Sequence, residues 1–322
     1  MNWVIKENND NESVKRLSNE LNISPILSSM LVNRRVKTFD QAKKFFRPNF
    51  EMLHDPFLMK DMSLAVERIQ KAIQKNESIM IFGDYDVDGT SSVALLSMYL
   101  ESLGLKIIKY LPDRKKEGYG VSINAIDHAF SKNHKLIIAL DCGIKAHKQV
   151  EYAKEKGIEF IICDHHNPDK NLPKALAILN PKRKDCAYPF KELCGCGVGF
   201  KLVQAVESKQ SKNNQIINYL DLVALAIAAD VVPLTGENRV LAFIGLQIIN
   251  SNPRPGVHSL LKKNVKKEYT ISDLMYYVGP RINAAGRMKH ASLALELLIC
   301  NDINSVEKLA LETKPKLIIA GG

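Results

Sequence analysis

The chain has 322 residues, with 45 Lys+Arg against 35 Asp+Glu, a formal net charge of +10 and a hydrophobic fraction of 46%. These values are ordinary for a globular chain of about two domains and exclude collagen-like, mucin-like and wholly disordered sequences. The basic balance (pI ≈ 9.2) suits a polyanion such as nucleic acid or anionic lipid, and equally a solvated lysine-rich surface.

In chain order, the first residues, Met1-Asn2-Trp3-Val4-Ile5-Lys6-Glu7, carry no basic stretch ahead of an apolar one. A signal peptide is therefore not expected. Residues 28–33 and 38–46 have apolar spacing suited to short helices, with Asp40-Gln41-Ala42 after Thr38 reading as a helix start. Pro48 and Pro56 break the pattern, and residues 60–75 resume it through Met62, Leu64, Ala65, Ile69 and Ala72.

An alternation of strands and helices follows. The run Ser78-Ile79-Met80-Ile81-Phe82 is a short strand ending at Gly83, and residues 91–103 are helical. Strands at 105–111, 136–140, 159–163 and 175–179 alternate with helices at 122–130 and 147–156. Continuous apolar strands separated by helices predict an α/β fold with a parallel sheet covered on both faces. From Gly197 the chain turns helical, at 198–208, 216–230 and 239–250, before a Pro-rich loop and a basic stretch from Lys262 to Lys267. No apolar run reaches the roughly 20 residues needed to span a bilayer. The six cysteines, at 142, 163, 186, 194, 196 and 300, form no CxxC pair. Cys194-Gly195-Cys196 lacks a second half for zinc, so reduced structural thiols in a cytoplasmic protein are expected.

Acidic groups cluster at the strand ends. Asp84-Tyr85-Asp86-Val87-Asp88-Gly89-Thr90 follows the first strand directly. Three carboxylates at alternate positions repel unless a cation sits among them. A calcium loop of EF-hand type is excluded: its twelfth position must be Glu, and here it is Leu95. Asp141 ends another strand, Asp164-His165-His166 the next, and Asp230 follows a helix. The carboxyl ends of parallel strands share one edge, where ligands bind. Asp86, Asp88, Asp141 and His165 can thus converge. Mixed carboxylate and imidazole donors suit manganese or magnesium, and two such ions activate water and stabilise phosphoryl charge.

Asp164-His165-His166, with Gly83-Asp84-Tyr85-Asp86-Val87-Asp88-Gly89 before it and Ala139-Leu140-Asp141-Cys142-Gly143 between, resembles the DHH phosphoesterase superfamily. Further motifs look like those of its RecJ-type single-stranded-DNA-specific exonucleases. They are Pro112-Asp113-Arg114 followed by Glu117-Gly118-Tyr119-Gly120, Ala228-Ala229-Asp230-Val231-Val232-Pro233-Leu234, and Gly279-Pro280-Arg281-Ile282-Asn283-Ala284-Ala285-Gly286-Arg287. The likeness spans about residues 20 to 305. It implies an N-terminal helical region at 1–60, a DHH catalytic domain at 61–250, and at 251–322 a helical connector with the start of an incomplete second catalytic subdomain. The rest of that subdomain, with a glycine-rich histidine motif, and an oligonucleotide-binding domain are expected after residue 305 and are not found in this sequence.

The resemblance also implies an activity: two-metal hydrolysis of single-stranded DNA from the 5′ end to nucleoside 5′-monophosphates, using Mn²⁺ or Mg²⁺, in DNA repair and recombination. Single-stranded DNA, a single-strand-binding protein and a helicase are the implied partners. Asp86, Asp88, Asp141, His165 and Asp230 match metal-binding positions, and Asp84 belongs to the same acidic turn. His166 matches a position near the scissile phosphate, with Asp164 orienting an imidazole; Arg281 and Asn283 fall in a motif facing the substrate backbone.

The residues themselves leave some roles open. Arg114, Arg281 and Arg287 have the planar fork that binds phosphate, and equally the charge for a surface ion pair. Tyr119 can stack on a base or pack as a hinge aromatic. Rival functions are a DHH phosphoesterase acting on short oligonucleotides or cyclic dinucleotides, and an inactive fragment.

Overall fold

The computed structural model describes residues 10–114, 116–210, 216–262, 266–288 and 291–312, the side chains of 286–288 excepted. The chain divides into two compact units, Met1–Met52 and Leu53–Gly322.

The first unit holds three helices, α1 (Asn11–Leu21), α2 (Pro25–Asn33) and α3 (Phe39–Phe46). Asp10, Ser24 and Thr38 cap them, each side chain accepting from a backbone N–H three residues on. Leu17, Leu31, Val32, Val36 and Ala42 form its core. Helix α1 was not foreseen in the sequence.

The second unit opens with α4 (Met62–Gln74) and then builds the sheet: β1 (Ser78–Gly83), α5 (Val87–Ser102), β2 (Lys106–Tyr110), α6 (Ile123–Ser131), β3 (Leu136–Leu140), α7 (His147–Glu155), β4 (Glu159–Cys163) and β5 (Ala177–Leu179). All pairs are parallel, in the order β2-β1-β3-β4-β5. The expected α/β fold, a parallel sheet flanked by helices, is present. Its order reverses between β1 and β3, the switch point at which open α/β sheets bind ligands. β3 is buried at every position, as its uninterrupted apolar run requires. One sheet face packs Met80, Phe82, Ile137, Phe160 and Ile162 against Ala125, Ile126 and Ala129 of α6 and Val150 and Ala153 of α7.

The remaining helices are α8 (Gly195–Glu207), α9 (Leu220–Asp230), α10 (Gly236–Ser251), α11 (Pro255–Leu261), the short α12 (Ile271–Asp273), α13 (Gly279–Met288), α14 (Ser292–Ile299) and α15 (Ile303–Glu312). A π-helical turn, Leu274–Val278, joins α12 to α13. α9 is apolar apart from Asp221 and its last residue, Asp230, and is buried from Leu220 to Ala228, a central helix packed by α5, α8 and α10. Two buried ion pairs brace this region. Lys201 Nζ meets Glu237 Oε1 at 3.1 Å, with Tyr188 Oη donating to Oε2 at 2.6 Å. Arg254 binds Asp221 through Nε and Nη2 at 2.9 and 3.0 Å.

Four helices begin earlier than the apolar pattern predicts: α2 at Pro25 instead of 28, α10 at Gly236 instead of 239, and α5 and α8. α5 starts at Val87, because Asp86 Oδ1 caps it by accepting from Gly89 N at 2.9 Å. Half of the acidic turn is therefore the first turn of a helix. α8 starts at Gly195 instead of 198, with Cys194 Sγ accepting from Gly197 N at 3.3 Å. All six cysteines are free. No described helix is long and apolar enough to cross a membrane.

Candidate metal centre

The strand ends deliver their acids to one place. β3 runs into Asp141, whose N–H still pairs with Cys163 O at 2.8 Å before the backbone turns left-handed at φ 59°. β4 runs into Asp164, whose N–H pairs with Leu179 O of β5. β1 runs into the Asp84 turn. Asp230 arrives from the C-terminus of α9, where Val231 takes φ 55°, a strained value for a β-branched residue.

His165 sits at the middle. Its Nε2 lies 3.1 Å from Asp141 Oδ1 and 3.7 Å from Asp88 Oδ2, and its Nδ1 lies 3.7 Å from Asp230 Oδ2. Donor atoms of Asp88, His165 and Asp230 fall within 4.8 Å of one another, as do those of Asp141, His165 and His166. Asp141 Oδ1, His165 Nδ1 and Asp84 Oδ1 are buried without a hydrogen-bond partner. Buried polar atoms are rarely left so. Here the unsatisfied atoms are carboxylate oxygens and an imidazole nitrogen at the strand ends, the donor types that a hard or borderline divalent cation takes.

The electrostatics agree. Burial, then repulsion from Asp86, pushes Asp84 up to about 7. Burial and repulsion from Asp230 raise Asp88; burial and repulsion from Asp88 raise Asp141. Burial and Asp86 lift Asp230 to about 6. Burial, then the charge of His166, holds His165 at about 4, so its imidazole is neutral at pH 7 and free to donate lone pairs. Four carboxyls with raised values around a neutral imidazole are a cluster that lacks positive charge.

Asp88 is held by more than its neighbours. Its two oxygens accept from Gly195 N and Cys196 N, both at 2.7 Å, at the positive end of α8. Gly195 fits there only as glycine. A Cβ at this position meets Asp141 Oδ1 at 2.5 Å and Asp141 Cβ at 2.6 Å. Sequence reasoning passed over this pair and read Cys194-Gly195-Cys196 only for zinc. The available signal was a glycine-rich helix start with no other explanation.

His166 is set differently. Its Nδ1 meets Asp164 Oδ1 at 2.7 Å, and that hydrogen bond raises its pKa against burial. Burial pushes Asp164 up, but the His166 hydrogen bond and charge and the N–H groups of His166 and Ile144 outweigh it, leaving the carboxyl below its usual range. Nδ1 therefore carries a proton and Nε2 points outward, 3.3 Å from Tyr119 Oη. Tyr119 is 60% exposed between Gly118 and Gly120, at φ 81° and 79°. These left-handed values favour glycine. Tyr119 lies edge-on to Tyr85 and to His166, and Arg114 covers the Tyr85 ring at 5.2 Å.

Arg281 donates to Leu260 O at 2.8 Å and Ala310 O at 3.1 Å. Both carbonyls lie in the last turns of helices, α11 and α15, where carbonyls lack intrahelical partners. In this structure the two Nη atoms of Arg281 clasp two helix ends. Asn283, on α13, keeps its Oδ1 buried without a hydrogen-bond partner. The side chain of Arg287 lies outside the described residues, as do residues 263–265 of the basic stretch and the end of the chain from 313.

Comparison with known proteins gives a consistent result. Residues 78–227 match the DHH family, N-terminal domain. The chain is 39% identical over 317 residues to the single-stranded-DNA-specific exonuclease RecJ of Bacillus subtilis, and 36% identical over 304 residues to that of Escherichia coli. It covers 39% and 52% of those proteins, so it spans about half or less of their length. A crystal structure of exonuclease RecJ bound to manganese superposes with TM-score 0.73 at 31% identity, over 81% of this chain and 66% of that one. RecJ of Thermus thermophilus in complex with Mn²⁺ gives TM-score 0.80 at 26% identity, over 94% and 43%.

Proposed function

With residues 78–227 forming a DHH-family N-terminal domain, we propose that this chain carries the metal-dependent catalytic centre of a 5′→3′ exonuclease that hydrolyses single-stranded DNA to nucleoside 5′-monophosphates. The observation that carries this reading is the convergence of Asp88, Asp141 and Asp230 on His165, with buried donor atoms left unsatisfied. The RecJ proteins it resembles, two of them crystallised with manganese, supply the substrate class.

In this reading Asp86, Asp88, Asp141, His165 and Asp230 hold two divalent ions, Mn²⁺ or Mg²⁺, with Asp84 beside them. Such ions, when bound, polarise the phosphoryl group and lower the pKa of water. The chain's own residues do the rest. Asp88 is oriented by the two amides of α8. Asp164 keeps the His166 proton on Nδ1 and favours the imidazolium, so Nε2–H presents a charged donor to a nonbridging phosphate oxygen. Tyr119, hydrogen-bonded to that same Nε2, offers an exposed ring to the terminal base or sugar. Arg114, held over Tyr85, has its guanidinium available for phosphate. Water adds to phosphorus, the P–O3′ bond breaks, and the shortened strand keeps the 5′-phosphate. Repair and recombination of DNA in the cytoplasm are the setting this activity suits.

The test uses 5′- and 3′-labelled single-stranded DNA with Mn²⁺, Mg²⁺ or EDTA. Metal-dependent release of mononucleotides from the 5′ end is expected, and Asp141→Ala and His165→Ala should abolish it. Full cleavage by either variant refutes the assignment.

A further inference from the structure

A second cavity opens beside this centre and takes no part in the chemistry above. It has a volume of about 670 Å³ and lies between the loops that leave β4 and β5. One wall begins at Asn167, the residue after His166; the other runs from Lys182 to Asp185. Asn180, fully buried, ties the two together. Its Nδ2 donates to His166 O at 2.9 Å and its Oδ1 accepts from Lys182 N at 2.8 Å. Lys182 is thus fixed in register with the catalytic edge.

The charges in this cavity do not balance. Arg183 is consumed as a fastener, on Asp61, Asp185 and Ile178 O. Asp185 is neutralised by that pairing, and Asp169 faces Lys145 and His147 at 3.8 and 3.6 Å. Lys170, Lys182 and Lys184 line the same walls, and none has an acidic partner among the described residues. Exposed lysines alone are commonplace. Three unpaired ammonium groups in one concavity, the half-buried Lys182 among them, focus positive potential next to an acidic centre.

We propose that this cavity holds the phosphate backbone of the single strand immediately beyond the scissile phosphodiester, with Lys182 as the innermost cation and Lys170 and Lys184 following. This rests on the nuclease reading and adds to it a track for the retained strand. Another, smaller cavity, lined by Tyr119, Ile144, Gln149 and His166, has about 260 Å³. The larger volume suits the continuing strand and the smaller one the single departing nucleotide.

The experiment compares the chain with K182A/K184A and K182R/K184R, each checked for fold by circular dichroism. Strand affinity is read by fluorescence anisotropy of a labelled single strand in EDTA across a salt series, and cleavage in Mn²⁺ on that strand and on a 5′-phosphorylated dinucleotide. For K182A/K184A, KM on the long strand is expected to rise about tenfold with kcat unchanged, and dinucleotide turnover to stay the same. The slope of log Kd against log salt should fall by about 0.7 for each phosphate that no longer meets a lysine. The arginine variant should keep the slope. Unchanged affinity and slope in K182A/K184A, or an equal loss on the dinucleotide, overturns the proposal. A wild-type chain that binds the strand but cleaves nothing refutes the nuclease reading while the anisotropy still reads the cavity; one that binds no strand overturns both.

Discussion

Gly195→Ala isolates the least visible part of the centre. The added methyl carbon lies 2.5 Å from Asp141 Oδ1, whereas ordinary contact starts at 3.4 Å. A displacement of 3.4 − 2.5 = 0.9 Å must therefore be shared between the start of α8 and Asp141. Asp141 can yield little, since its backbone is locked to Cys163 O. If α8 takes the displacement, the 2.7 Å hydrogen bonds from Gly195 and Cys196 to Asp88 stretch past the usual limit of about 3.2 Å. Overpacking of this kind costs about 1–3 kcal/mol of stability. Loss of groups that orient a metal ligand weakens metal affinity about 10–100-fold. Mn²⁺ affinity, from electron paramagnetic resonance of free Mn²⁺, and thermal unfolding by circular dichroism measure both effects. A variant that stays folded and binds Mn²⁺ as tightly as the parent refutes the argument that these amides organise the centre.

Stability without metal should fall as pH rises. Asp84 sits at about 7 folded against 3.8 unfolded. The unfolded chain therefore binds fewer protons between those values, and stability present below pH 3.8 is lost through pH 7. This group alone contributes on the order of 4 kcal/mol. The unfolding temperature in EDTA should drop from pH 5 to 8, and Mn²⁺ should flatten the curve; a flat curve in EDTA contradicts the clustering of carboxyls. Asp164→Asn should lower kcat about 100-fold. It should also shift the alkaline limb of the pH–rate profile downwards, because His166 loses the hydrogen bond that raises its pKa; an unmoved limb argues against His166 as the charged donor. Glu237→Ala strands the buried Lys201 ammonium and should cost about 3–5 kcal/mol by urea unfolding, with less than about 1 kcal/mol placing that pair outside the stability of the fold.

The sheet was legible because β3 and β4 carry unbroken apolar runs, Leu136–Leu140 and Phe160–Cys163, that a doubly covered parallel sheet buries. Strand direction brings Asp141 and His165 to one edge, while Asp88 reaches them from the first turn of α5 under the two amides of α8. Helix starts were harder, since Val87-Asp88-Gly89 and Gly195-Cys196-Gly197 are poor helix formers by composition. Their helical state comes from the caps Asp86 and Cys194 and from contact between the two segments. The two helix-end carbonyls that Arg281 holds, 21 and 29 residues away in the chain, were hidden for a similar reason. A guanidinium in a nucleic-acid-like motif looks free until the helix ends that need it are located in space. The register of Lys182 depends on Asn180, a buried amide whose partners lie 14 residues back and two residues ahead; no periodicity reports it.

Asp88 and the amides that hold it are separated by 107 and 108 positions in the chain. During synthesis at roughly 5–20 residues per second, the acidic segment leaves the ribosome about 5–20 s before α8 can reach it. In that interval its carboxylates stand in water with ordinary acidity and little power to retain a cation. Metal capture by a nascent chain is thereby postponed until the sheet has closed around β3 and α9 has delivered Asp230. The timing is set by chain connectivity alone, through the 107 and 108 positions that separate Asp88 from the amides of α8.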